Sequence, residues 1–187
     1  MVESFSLKTI YSGYIASEKP VGDLASVAEI LATEDVTPNN FYELRPRVQL
    51  SKTATFRKGI IGLILYYVKV VVRDHELSDE EKENIRLIKT LFQVKEGEFY
   101  NLQASELSEI LSQQILWIIG DREMDRSDDI YQEDLQRIFG LGYDQFVELT
   151  KDAVIKFLDT MPEDEVHFPA TEINNIKSAF LISDSSE

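Results

Sequence analysis

The chain contains no cysteine. That absence excludes a disulfide framework, a thiolate zinc site and a cysteine nucleophile, and it fits a reducing compartment. Histidine is nearly as scarce, with only His75 and His167. His75 stands between Asp74 and Glu76, where it reads as an exposed turn residue or, alternatively, as a metal ligand or pH-sensitive group. The sequence has no Gly-x-Ser-x-Gly elbow, no glycine-rich phosphate loop and no Gly-x-Gly-x-x-Gly. Glycoside hydrolysis by paired carboxylates would want an aromatic-rich cleft, for which a chain of this size and pattern gives no signal. The expectation is a protein that is not an enzyme.

Long hydrophobic runs are also missing. The longest, residues 59–72 (GIIGLILYYVKVVV), is interrupted by Lys69 and falls short of the roughly 20 residues that a membrane span needs. It reads as a buried core helix, with an interfacial anchor beside Arg57 and Lys58 as the alternative. The opening residues, MVESFSLKTIYSGY, place an acid where a signal peptide has lysines and lack a long apolar core. A cytoplasmic protein without direct membrane insertion is therefore expected.

Positive charge is in short supply. The chain has 34 acidic and 19 basic residues, a net −15. Residues 1–73 hold seven acidic and nine basic residues, whereas residues 74–187 hold 27 and 10. The acidic stretch repels DNA and RNA, whose binding requires phosphate neutralisation by Lys and Arg. It attracts cations or a basic protein surface. Acidity that only maintains solubility is the plain alternative.

At 187 residues, 43% hydrophobic and 28% charged, the chain is ordinary for one folded domain with a core of its own. Its periodicity predicts an all-α fold. Residues 1–51 read as an irregular arm with one short helix over 23–34, capped by Asp23. Residues 52–182 read as a single helical bundle, and residues 183–187 as a frayed tail. Within the bundle a long helix covers 52–73, although the β-branched VKVVV also allows a strand. Ser78 and Glu81 form a capping-box signature for the next helix. Further helices follow over about 105–119, 129–139 and 143–160, with Gly140 and Gly142 between the last two. Another begins near Thr171. Trp117, Phe92 and Phe139 fall on or beside apolar faces and read as core.

The chain matches itself at one spacing. Asp74-His-Glu-Leu-Ser-Asp-Glu-Glu81 overlies Asp121-Arg-Glu-Met-Asp-Arg-Ser-Asp128, 47 residues on. Acids pair at 74/121, 76/123 and 81/128, and apolar residues at Leu77/Met124. Cap-competent residues pair at Ser78/Asp125. The helices on either side match at Val68/Ile115, Val71/Ile118, Val72/Ile119, Ile88/Leu135, Leu91/Ile138 and Phe92/Phe139. Each unit thus reads as helix, acidic turn, helix. Carboxylates crowded at such a corner repel one another, and a hard cation or a partner's Lys or Arg relieves the repulsion. Oxygen-only ligand sets favour calcium or magnesium over zinc. An EF-hand fits the second turn poorly. Arg126 stands where that loop needs glycine, Asp128 where it has an apolar residue, and Gln132 where it needs glutamate.

Two acidic helix–turn–helix units, the second running into Leu-Gln-Arg-Ile-Phe-Gly-Leu-Gly-Tyr-Asp-Gln-Phe, resemble the tellurite-resistance TerB-like family over about residues 56–160. The resemblance implies an all-helical bundle with a pseudo-repeat. It implies divalent-metal binding by turns of the form Asp-Gly-Glu-x-Ser-x-x-Glu. It also implies a role as sensor or scaffold in a membrane-associated stress-response or defence complex. Carried onto this chain, the ligand set is Asp74, Glu76 and Glu81 in the first turn and Asp121, Glu123 and Asp128 in the second. The family's glycine is replaced by His75 and Arg122. Glycine adopts positive φ freely, histidine less so and arginine poorly, so the replacement bears on the turn backbone. Arg122 is also a candidate built-in cation. Two functions follow as expectations: a calcium- or magnesium-binding module, or a metal-free acidic inhibitor or immunity-type protein that masks a basic partner.

Overall fold

The computed structural model describes residues 6–120, 126–160 and 170–183, with backbone only for residues 126–129 and 170. Among the described residues there are nine α-helices and no strand, so the chain is all-α. The helices are α1 (Leu7–Glu18), α2 (Asp23–Thr33), α3 (Phe41–Val48), α4 (Ala54–Val71), α5 (Asp79–Leu91), α6 (Glu98–Gly120), α7 (Arg126–Phe139), α8 (Tyr143–Thr160) and α9 (Ala170–Ala179). Short 3-10 turns cover Pro38–Asn40 and Val72–Asp74. The chain falls into two compact units, Met1–Gln103 and Ala104–Glu187. The border lies inside the 52–182 stretch that the sequence offers as one domain. It falls at Gln103, whose φ of −144° and ψ of 37° interrupt α6.

The first unit is built around α4. Ile60, Ile61, Leu63, Ile64, Leu65, Tyr67 and Val68 are all buried. A helix that is apolar on nearly every side must be surrounded, and α1, α2 and α5 pack on it. Thr53 starts α4, its hydroxyl accepting from the Phe56 N–H at 3.2 Å. The β-branched run stays helical through Val71, because burial overrides a weak strand preference. Tyr11 of α1 is fully buried, donates its phenol O–H to the Leu63 carbonyl at 3.2 Å and stacks on Tyr67 at 6.2 Å between ring centroids. Burial pushes the Tyr11 phenol pKa well up.

Residues 1–51 are therefore not an irregular arm with one short helix. Their described part holds α1 and α3 as well as the expected α2. α1 starts at Ser6, whose hydroxyl accepts from the Thr9 N–H at 3.2 Å. Buried Leu7, Ile10 and Tyr11 hold it to the core. α3 carries Pro46 inside it and survives because Leu44 and Val48 are buried. Tertiary packing supplies what local propensity lacks in both cases. α3 and α4 also close the C-terminal end of α5. Arg45 Nη2 donates to the Thr90 carbonyl at 3.3 Å and Arg57 Nη1 to the Phe92 carbonyl at 2.7 Å, which places cations at the negative end of the helix dipole.

In the second unit the helices are those expected. Leu107, Ile110, Leu111 and Ile115 of α6 are buried, as are Leu135 and Phe139 of α7 and Phe146, Val147 and Val154 of α8. Ser108 Oγ donates to the Leu149 carbonyl at 2.6 Å, tying α6 to α8. Tyr131 donates its O–H to Gln114 Oε1 at 2.9 Å, tying α7 to α6. The end of α9 is held to α8 by Lys151 Nζ, which donates to the Leu181 carbonyl at 2.6 Å, and by Tyr143, which donates to the Ala179 carbonyl.

Candidate functional site

The first acidic turn is built in three steps. α4 ends and tightens into the Val72–Asp74 3-10 turn. His75 then takes the left-handed conformation, φ 62° and ψ 23°, with its N–H donating to the Val72 carbonyl at 3.2 Å. A histidine thus holds a positive φ that glycine adopts more readily. Asp74 Oδ1 accepts from the Glu76 N–H at 3.3 Å, a local side-chain turn. Ser78 and Glu81 finally close a reciprocal capping box. Ser78 Oγ accepts from the Glu81 N–H at 3.3 Å, and Glu81 Oε2 accepts from the Ser78 N–H at 2.9 Å and from the Ser78 hydroxyl at 2.8 Å.

The three carboxylates expected as one ligand set thus have different work. Glu81 is buried, 5% exposed, and its Oε2 holds the cap. Asp74 and Glu76 are exposed. Among the described residues no group of three or more His, Asp or Glu is placed to hold a metal ion. In this arrangement the first turn offers a cation two carboxylates, against the six to eight oxygens that calcium takes. Backbone carbonyls and water would have to supply the rest. Of the second set, Asp121 and Glu123 lie outside the described residues, and Asp128 is described only as backbone on α7. Arg122 lies outside them too.

The helices beside the two turns correspond closely in sequence position. α5 (Asp79–Leu91) and α7 (Arg126–Phe139) each follow one of the two turns in sequence. Val68 and Ile115, Val71 and Ile118, Val72 and Ile119, Ile88 and Leu135, and Phe92 and Phe139 are buried at both members of each pair. One further correspondence escapes a search for similar residues. Asn84 Nδ2 donates to Tyr67 Oη at 3.1 Å in the first unit, and Tyr131 donates to Gln114 Oε1 in the second. Positions 67 and 84 lie 47 before 114 and 131. The same two positions are therefore joined in both units by a phenol–amide bond, with the residue types exchanged between the helices.

The border between the units also re-sorts the charge. The first unit, residues 1–103, has 15 acidic and 13 basic residues. The second, residues 104–187, has 19 acidic and 6 basic residues, a net −13. Counting from Asp74 blurs this division, because the sequence does not reveal the break at Gln103. Two polar features lie outside the sequence reading. Asp134, buried on α7, accepts from Arg137 at 3.0 Å, where the position 47 residues earlier holds buried Leu87. Arg57 forks onto Glu98, Nε to Oε1 at 2.8 Å and Nη2 to Oε2. That hydrogen-bonded guanidinium holds the Glu98 carboxyl below its usual range.

No helix among the described residues is long and apolar enough to cross a membrane. No family model matches the chain, and no curated protein or solved structure matches it.

Proposed function

We propose that the chain is a non-enzymatic acidic binding module of the TerB-like kind, a scaffold or sensor that receives a basic protein surface on its second unit. The observation that carries this reading is the charge division: net −13 over residues 104–187 against −2 over residues 1–103. Two of the second unit's six cations are already engaged, Arg137 by Asp134 and Lys151 by the Leu181 carbonyl. A field of one sign raises the local concentration of an oppositely charged partner and speeds encounter.

The test follows amide shifts while a short oligolysine peptide is titrated in the presence of EDTA. Shifts are expected in α6 and α7, and weakening by about tenfold between 50 and 200 mM salt, the steepness expected when several charge pairs form. Equal shifts throughout both units would overturn the reading.

The second reading is a divalent-cation module, a calcium or magnesium sensor. It is supported by His75, which holds the left-handed backbone that glycine adopts freely, at the position where a turn of the form Asp-Gly-Glu-x-Ser-x-x-Glu has glycine. Calcium would then raise the melting midpoint, since a ligand bound only by the folded state stabilises it. Asp74→Asn combined with Asp121→Asn would abolish the rise. A midpoint unmoved by calcium or magnesium would leave the basic-partner reading alone.

A further inference from the structure

Three basic residues of the first unit, Lys52, Arg57 and Lys95, line a cavity that no part of the acidic reading uses. It measures about 330 Å³ and lies between the end of α3, the start of α4 and the turn after α5, at the lower end of the range for small-molecule sites. Its apolar wall includes Val48, Ile60 and Phe92, each buried. Arg57 is part of the lining but is committed elsewhere: it forks onto Glu98 and donates to the carbonyls of Phe92, at 2.7 Å, and Gln93, at 3.0 Å. Glu98 in turn accepts the Lys95 N–H at 2.7 Å. The lining's one carboxylate is thus matched by its one guanidinium, and both are fixed in place.

Two lining cations remain, Lys52 and Lys95. Both are exposed, and neither side chain makes an ion pair among the described residues. The backbone beside them is a helix end. Gln93 lines the cavity with φ 53°, in the left-handed region. Its N–H donates to the Thr90 carbonyl and the Val94 N–H to the Lys89 carbonyl, the helix-ending pattern that favours glycine at this position. Four residues later the same turn does use glycine, Gly97 at φ 75°.

We infer that this cavity binds a small organic anion, its apolar body against Phe56, the partly exposed apolar residue of the lining, and its carboxylate or phosphate toward Lys52 and Lys95. Phe56 favours a ligand with an apolar body over a bare inorganic anion, and two lysines in the lining favour a charged head over a neutral one.

Calorimetric titration of the full chain tests this with four probes: octanoate, octyl phosphate, 1-octanol and acetate. Saturable binding of octanoate or octyl phosphate is expected, and the tighter of the two identifies the head group. Acetate should show no saturation, and 1-octanol should bind more weakly than either anion. The Lys52→Ala and Lys95→Ala double variant should weaken the anions by about fivefold or more and leave 1-octanol unchanged, as loss of two exposed charge contacts implies. Both lysines are exposed, so thermal melting should show that the double variant keeps its fold. Amide shifts on octanoate addition should fall within residues 48–60 and 92–98. The inference is overturned by lack of saturation with both anions, by anion binding unaffected in the double variant, or by shifts centred elsewhere.

Discussion

Glu81 shows how one residue can satisfy two readings of a sequence. Its spacing from Ser78 identifies a capping box, and its spacing from Asp74 and Glu76 identifies a ligand set. The capping box is formed within one turn of helix by three hydrogen bonds, two of them accepted by Glu81 Oε2. Ser78→Ala and Glu81→Ala should each destabilise the fold by about 1 kcal/mol. Because the two side chains serve one reciprocal motif, the double variant should cost clearly less than the sum. Denaturant melts of the three variants check this, and an additive double variant would mean that the two ends act independently. The box was legible in the sequence because capping is local and has a fixed spacing. The buried Asp134 and the Arg57–Glu98 fork were not legible. Arg57 and Glu98 lie 41 residues apart, and nothing in the spacing of two ordinary surface residue types marks them as partners.

At the scale of helices, legibility followed amphipathicity. α5, α7 and α8 were readable from apolar spacing and from their start or stop signals, and their observed bounds lie within a few residues of the expected ones. α1 and α3 were not, since Gly13 interrupts one and Pro46 the other. Both exist because their few apolar residues are buried, a fact about tertiary neighbours. The phenol–amide bonds between paired helices were hidden for another reason: Tyr67 and Gln114 are dissimilar residues, as are Asn84 and Tyr131, so comparison by similarity passes over them. These bonds make a test of whether the two hairpins share one design. Tyr131→Phe, at a buried bond, should cost about 1–3 kcal/mol. Tyr67→Phe should cost about 0.5–1.5 kcal/mol, because half-exposed Asn84 can recover hydration. Exchanging the first pair, Tyr67→Gln with Asn84→Tyr, gives the first unit the arrangement of the second. Thermal melting should find the exchanged protein more stable than either single variant. A double variant as unstable as the two singles combined would show that the positions are not equivalent.

For the whole molecule, the division of charge at Gln103 matters more than the total. The first unit is almost balanced, while the second holds a net −13 in 84 residues, and uncompensated like charge destabilises a compact state by self-repulsion. Salt screens that repulsion, with a Debye length falling from about 30 Å at 0.01 M to about 10 Å at 0.1 M. Stability should therefore depend on salt in the second unit far more than in the first. The chain provides a reporter for each. Trp117, its only tryptophan, is in the second unit, and six of its eight tyrosines (Tyr11, Tyr14, Tyr42, Tyr66, Tyr67 and Tyr100) are in the first. Melting followed by Trp117 fluorescence should move up by about 4–8 °C between 10 and 200 mM NaCl, the shift that about 1 kcal/mol produces in a unit of this size. The tyrosine-dominated near-ultraviolet signal should move by much less. A basic partner should act on Trp117 in the same direction as salt, and at low salt by a larger amount, because bound cations neutralise charge that mobile ions only screen. If both reporters rise together with salt, the repulsion is shared by the whole chain, and the assignment of the second unit as the partner-facing one loses its basis.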